Sequence, residues 1–232
     1  MNELILARHG ATAWNEARRL QGASDPPLSQ AGRAEARLLG SRLASSVSQG
    51  QIVWTSDLRR ARETARLALP EGRLRPDARL REYDFGVFDG STWEENESTH
   101  GNLFREWAAD PEAAPPPGGE TLKEFRARVA GWLAEVRTGD RRGVVVAHGG
   151  VIGMIHALLT FGSFSKSRLL MPPTGGFVEL RRSPAGAWTL VAPETSSGKK
   201  SRISRFPDSE EGPANPVTTA TLEGNPDPKA SP

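Results

Sequence analysis

Three short polar stretches in this chain carry side chains of the kinds that handle phosphate: Arg8-His9-Gly10, Ser56 through Arg60, and His148-Gly149-Gly150. A histidine placed directly after a strand is held rigidly. A backbone carbonyl can fix one ring nitrogen, so that the other points outward as a nucleophile. The adjacent Arg8 offers a planar fork of donors that matches phosphate oxygens. Gly10 allows the backbone to approach a ligand closely. A lone histidine at a strand end is more often structural than catalytic, so the reading depends on the other two stretches meeting the first.

The elements that must bring them together are legible from apolar spacing. Glu3 to Ala7 is a short apolar run stopping at Arg8-His9-Gly10, as a buried strand does at its polar end. Ile52-Val53-Trp54 is a second strand, and Gly143 to Ala147, with three consecutive valines, is a third. Ser29 caps a helix whose apolar residues run from Ala31 to Leu43. Ser56 or Asp57 is expected to cap another reaching about Leu69. Glu120 to about Val136 has the spacing of an amphipathic helix, and Val151 to Leu159 forms an apolar one. Phe177 to Arg181 and Ala187 to Val191 read as a terminal hairpin around Ser183-Pro184-Ala185-Gly186. Strands alternating with helices predict an α/β fold: a mostly parallel central sheet flanked by helices on both faces. In such sheets ligands sit beyond the carboxyl ends of the strands, where all three polar stretches fall.

Composition excludes several other chemistries. The chain has 30 basic and 28 acidic residues and a net charge of +2, so its pI near 9.3 is no footprint of a nucleic-acid binder. It has no cysteine, which removes disulfides, thiolate metal sites and a cysteine nucleophile. The four histidines are scattered rather than paired one helical turn apart, so neither a metal nor another cofactor is expected. The N-terminus lacks a signal-peptide pattern and no apolar run approaches the roughly 20 residues of a membrane span. The expectation is a soluble cytoplasmic protein without membrane or nucleic-acid partners. From Thr195 onward Ser, Thr, Pro, Gly, Glu and Lys dominate, so 195–232 is expected to be a disordered tail. Its Lys199, Lys200, Arg202 and Arg205 read as a solvated linker.

In these motifs and their order, from Glu3 to roughly Val191, the chain resembles the histidine phosphatase superfamily, also called the phosphoglycerate mutase-like family. Arg8-His9-Gly10-Ala11-Thr12-Ala13-Trp14-Asn15 matches that family's R-H-G-x-T-x-x-N. Gly22, Asp25, Pro27, Leu28 and Gly32 match the stretch that follows. Ser56 to Ala65 looks like its S-x-L-x-R-A-x-x-T-A helix start. Leu80-Arg81-Glu82 with Phe85-Gly86 and Asp89-Gly90 is similar to its acid-bearing loop, and Ala147 to Gly150 to its second histidine motif.

The resemblance implies that His9 accepts the phosphoryl group. It implies that Arg8, Arg60 and His148 neutralise the equatorial oxygens, where transition-state charge collects. Thr12, Asn15, Gln21, Gly22 and the amides around Gly149 would complete the phosphate shell, the last at a helix N-terminus. Glu82 would protonate the leaving oxygen and later take a proton from water, a role served by a carboxyl with a raised pKa. Asp84 and Asp89 are the neighbouring alternatives. His156 reads as a helix residue, and His100, in the acidic segment Glu94 to Gly101, is a further candidate for touching substrate.

Family members divide into phosphatases and mutases. The interval from Glu82 to His148 is short and holds few basic residues, Arg105, Lys123 and Arg126 among them. It offers Trp93, Phe104 and Trp107 together with acids from Glu94 to Glu97. The expectation is a phosphatase acting on a small phosphomonoester, with residues 1–194 as the catalytic domain and about 86–120 as a cap-like insertion. The alternatives are a phosphoglycerate-type mutase and a non-catalytic module that binds phosphorylated ligands. The terminal hairpin could offer an edge strand for a homodimer.

Overall fold

The sheet grows from β1 (Glu3–Arg8), whose four central residues are all buried and whose neighbours on both sides are strands. The computed structural model describes residues 1–136, 142–160, 162, 164 and 171–191. Along the chain follow β2 (Ile52–Ser56), β3 (Arg73–Asp77), β4 (Arg142–Ala147), β5 (Phe177–Arg182) and β6 (Trp188–Val191). They form one sheet in the order β3-β2-β4-β1-β5-β6. The first four strands in this order are parallel, and β5 and β6 add an antiparallel hairpin.

Alternation along the central strands explains why helices cover both faces. Ile5, Ala7, Val144 and Val146 point to one side, against Leu39 and Leu43 of α2 (Gln30–Leu43) and Ala65 and Ala68 of α3 (Arg59–Ala68). Leu4, Leu6, Val145 and Ala147 point to the other. There they meet Phe125, Val129 and Trp132 of α6 (Leu122–Val136) and Ile152 and Ile155 of α7 (Gly149–Thr160). A strand buried on both faces is apolar at every position, the pattern of β1 and β4. Four-residue α1 (Ala13–Glu16) follows the first polar stretch, and α4 (Trp93–His100) and α5 (Asn102–Ala109) lie between the acid loop and α6.

The structure adds one strand to those expected and corrects one helix cap. Arg73 to Asp77 has no apolar pattern, carries Pro76 and is largely exposed, yet it is β3, the sheet's outer strand beside β2. An edge strand tolerates a proline because one side of it needs no ladder donors. Neither Ser56 nor Asp57 is the N-cap residue of α3, which begins after Leu58 without a side-chain cap of its own. Instead the Asp25 carboxylate accepts the amides of Arg59 at 2.5 Å and Arg60 at 3.3 Å. Asp57 pairs with Arg81 at 2.6 Å. Ser29 does cap α2, accepting from the Gly32 amide at 3.1 Å. Among the described residues no helix is long and apolar enough to cross a membrane. The expected tail, 195–232, and the boundary at residue 194 lie outside the described residues.

Candidate active site

Parallel pairing puts the ends of β1 and β4 side by side, Arg8 opposite Ala147. His9 and His148 are the next residues on each chain, and their rings meet edge to face with centroids 5.1 Å apart. The His9 amide donates to the Ala147 carbonyl at 2.9 Å, so the histidine still belongs to the sheet ladder. Its Nδ1 lies 2.8 Å from the Gly10 carbonyl, an acceptor, which places the ring proton on Nδ1 and leaves Nε2 with a lone pair. Gly10 also admits α2 at close range: a Cβ there would stand 2.2 Å from the Gly32 carbonyl oxygen. A Cβ on Gly32 would be 1.9 Å from that of Ala11, so both glycines are required by backbone contact.

Around this ring stand buried nitrogens without partners among the described residues. Arg8 Nε, Arg60 Nε and both nitrogens of His148 are buried and have no hydrogen-bond partner among the described residues. A buried unsatisfied donor costs about 1–3 kcal/mol, more when charged, so several converging on one place mark a site for an anion. Burial pushes the His9 pKa well below the usual imidazole range, and the charges of Arg60 and Arg8 add to it, against a smaller opposing effect of the Gly10 hydrogen bond. His148 is lowered likewise, first by burial and then by Arg60, His9, Arg8 and Arg128. Both rings are therefore neutral at pH 7, the form in which His9 is a nucleophile.

Arg60 is fully buried at the start of α3 and is not merely a charge. Its Nη1 donates to the Ser24 carbonyl at 2.6 Å and its Nη2 to the Gly22 carbonyl at 3.0 Å. It so clamps the 21–25 loop while Nε has no partner among the described residues. Arg8 spends one Nη1 bond on the Pro172 carbonyl at 3.2 Å.

Glu82 approaches from the acid loop. Its Oε2 accepts the Gly150 amide at 3.0 Å and its Oε1 the Tyr83 amide at 2.9 Å, which ties the carboxylate to the first turn of α7. A side chain on Gly150 would collide with it, since a Cβ would be 2.3 Å from Oε1. This requirement explains the second glycine of His148-Gly149-Gly150, to which sequence reasoning attached no specific need. The alternative acids are occupied elsewhere. Asp89 accepts the Gly22 and Ser24 amides at 2.7 and 2.8 Å, and Asp84 accepts the Gly86 amide at 3.0 Å.

A cavity of about 660 Å³ opens over His9, and Arg8, Asn15, Gln21, Glu82 and Gly149 reach its wall. Arg60 and His148 stand behind that wall. Two expected shell residues are displaced in role. Thr12 is fully buried as the N-cap of α1, in a reciprocal capping box with Asn15. The Gly22 amide is already taken by Asp89. His156 lies in α7 off the cavity, and His100 packs on Phe88 at 5.2 Å between centroids. Apolar and aromatic side chains, among them Phe85, Trp93, Trp107, Leu122 and Met171, also line the cavity, together with Glu94. Arg18 and Arg19, past α1, also line it. Arg19 is engaged with Glu95 at 2.7 Å and with the Gly90 carbonyl. Arg18 takes a left-handed backbone, φ 56°, a strained conformation for a non-glycine residue, and its place at the cavity escaped sequence reading.

Comparison with known proteins adds to this geometry. A family model described as the histidine phosphatase superfamily (branch 1) matches residues 4–194. Phosphoserine phosphatase 1 of Hydrogenobacter thermophilus is 35% identical over 153 residues, 64% of this chain and 71% of that protein. The 2,3-bisphosphoglycerate-dependent phosphoglycerate mutase of Methylorubrum extorquens (strain PA1) is 37% identical over 158 residues, 63% of this chain and 73% of that one. Among solved structures, a mycobacterial glucosyl-3-phosphoglycerate phosphatase in complex with VO3 superposes with a TM-score of 0.70 at 30% identity. The match covers 82% of this chain and 98% of that one.

Proposed function

The chain belongs to the histidine phosphatase superfamily, and on that premise we propose that it is a metal-independent phosphomonoester hydrolase working through a phosphohistidine on His9. The observation that carries the mechanism is the His9 ring: Nδ1 tied to the Gly10 carbonyl, Nε2 free, and a cavity opening over it. In the first step Nε2 attacks phosphorus, the bond from phosphorus to the ester oxygen breaks, and Glu82 gives that oxygen its proton. In the second, water attacks the phosphohistidine, Glu82 takes its proton back, and inorganic phosphate leaves. Arg8, Arg60 and His148 face the charge that builds on the transferring oxygens; a neutral His148 contributes a donated hydrogen bond rather than a full charge.

Hydrolysis is favoured over phosphate relocation by the composition of the cavity wall. Residues between the acid loop and α6 give it Trp93, Glu94, Trp107 and Pro111, with no cation among them; beyond Arg8 the cations that line it are Arg18 and Arg19, and Arg19 is already engaged by Glu95. The mutase relative keeps relocation as the second reading. The test is a panel of phosphomonoesters, assayed with chelator present, for wild type and His9→Ala. Release of inorganic phosphate that resists the chelator and disappears with His9 is the expected result. Activity that survives loss of His9, or stops on chelation, overturns the mechanism. Transfer of phosphate to a second position of a sugar acid faster than its release to water favours the mutase.

A further inference from the structure

Glu82 sits in a loop whose main chain has no strand or helix to hold it. Residues 82–85 have no regular structure, following one short 3₁₀ turn at Ala78–Leu80. Proton transfer to a leaving oxygen demands placement to a fraction of an ångström, and a displacement of about 1 Å can cost on the order of 10²-fold in rate. Something must fix the loop from behind.

We propose that Arg128 is the positioning residue for Glu82, an assignment that rests on reading Glu82 as the proton donor. Arg128 lies on α6 and does not reach the cavity. Its Nη1 donates to the carbonyls of Arg79 at 2.8 Å and Arg81 at 2.7 Å. Its Nη2 donates to the carbonyl of Glu82 itself at 2.9 Å. The remaining N–H groups go to Glu120, Nη2 to Oε2 at 2.8 Å and Nε to Oε1 at 2.6 Å. All five N–H groups of the guanidinium are thus committed, three of them to the main chain of one four-residue stretch. The guanidinium carbon also lies 4.7 Å from the centre of the Phe125 ring, one turn back on the same helix.

Glu120 completes the device. It precedes α6, its amide donates to the Asp84 carbonyl at 3.1 Å, and its carboxylate holds Arg128 in a mostly shielded pair. The acid loop is therefore pinned at both ends by one ion pair: directly by Arg128 at residues 79–82, and through the Glu120 main chain at residue 84. The carboxylate itself is then set by the amides of Gly150 and Tyr83. A lysine could replace the charge but not the fork that spans three carbonyls.

The experiment compares kcat/KM for propyl phosphate, whose alkoxide needs a proton to leave, with that for 2,4-dinitrophenyl phosphate, whose leaving group departs without one. Wild type, Arg128→Ala, Glu82→Gln and the double variant are measured, with inhibition by inorganic phosphate as a control on the floor of the site. Arg128→Ala is expected to lose about 10²-fold on the alkyl ester and less than about 3-fold on the activated one. Phosphate inhibition stays within about 2-fold, and adding Arg128→Ala to Glu82→Gln costs little more. Equal losses on both esters, or additive losses in the double variant, overturn the proposal by showing a merely structural role. If Glu82→Gln itself spares the alkyl ester, the proton-donor reading fails, and that result is separate from any behaviour of Arg128. Should Arg128→Ala fold poorly, Arg128→Lys keeps the charge and reads the same partition between esters, at about 10-fold. Wild-type behaviour of Arg128→Lys on propyl phosphate also overturns the proposal.

Discussion

The floor and the wall of the cavity are built on opposite principles. On the floor, His9 and Arg8, with Arg60 and His148 behind them, stand at the ends of strands or the start of a helix, and backbone groups orient the two that lead the chemistry: the Gly10 carbonyl holds His9, and the Gly22 and Ser24 carbonyls hold Arg60. On the wall, Phe85, Trp93 and Trp107 belong to a cluster of rings completed by Phe88 and Phe104 behind them, with centroids 4.7 to 6.3 Å apart. Polar groups fixed by the backbone suit a phosphoryl group whose geometry does not change between esters. An aromatic cluster packed on itself can be recut for a different leaving group without disturbing the sheet. Damage to the floor should therefore lower every reaction alike, and damage to the wall should change which ester is preferred.

The sharpest way to break this contrast is His9→Ala, expected to reduce hydrolysis of alkyl and activated esters equally, by about 10⁴-fold or more. Steady-state assays of both esters check it. A loss confined to one ester would mean that the floor is not shared.

Gly150→Ala tests the junction between the two regions, since its Cβ would lie 2.3 Å from Glu82 Oε1 and must displace the carboxylate. A fall of about 10²-fold on propyl phosphate, with the dinitrophenyl ester much less affected, is expected.

The floor also leaves a signature in stability. His9 and His148 stay neutral in the fold well below pH 6.5, chiefly because they are buried and secondly because Arg60 is near. In the unfolded chain they take up protons near pH 6.5. Below that pH the unfolded state binds more protons, so unfolding free energy falls as pH drops. The slope is about 1.4 kcal/mol per pH unit for each ring until its folded pKa is reached. Urea unfolding at pH 7.5, 6.5 and 5.5 should show this loss, and the His9→Ala protein should show a slope shallower by one ring's share. Equal slopes in the two proteins would contradict a neutral His9.

The smallest effect belongs to the margin of the wall. Glu94→Gln removes the one carboxylate that the segment between the acid loop and α6 gives the cavity. It should lower KM for an ester bearing a second anionic group by about 2- to 5-fold, with a neutral ester unchanged. An unchanged KM for both would remove Glu94 from substrate selection.

What could be read in the chain beforehand follows from the range of the interactions. The buried strands, the Ser29 cap and the two strand-end histidines depend on neighbours within a few positions, and apolar spacing displays those directly. The resemblance to the family's helix-start motif picked out Arg60, which is buried, where the neighbouring Arg59 is exposed. β3 escaped because an outer strand with little burial has no apolar pattern to show. The helix cap of α3 was misassigned because it comes from Asp25, more than thirty residues earlier.

The same reason separates what the amino-acid order determined from what the tertiary structure decided. Order alone determined the α/β layering and the placing of Arg8-His9 and His148 at strand ends, because β-strand periodicity and helix caps are local. Only the folded chain decided that Gly150 faces the Glu82 carboxylate, 68 residues away in sequence. It likewise decided that Arg128, rather than the exposed Arg126 two positions before it, grips the acid loop. In a run of charged residues on one helix, only the position of the helix against the loop chooses the arginine that meets three carbonyls. That position is set by packing of Phe125, Val129 and Trp132 into the core.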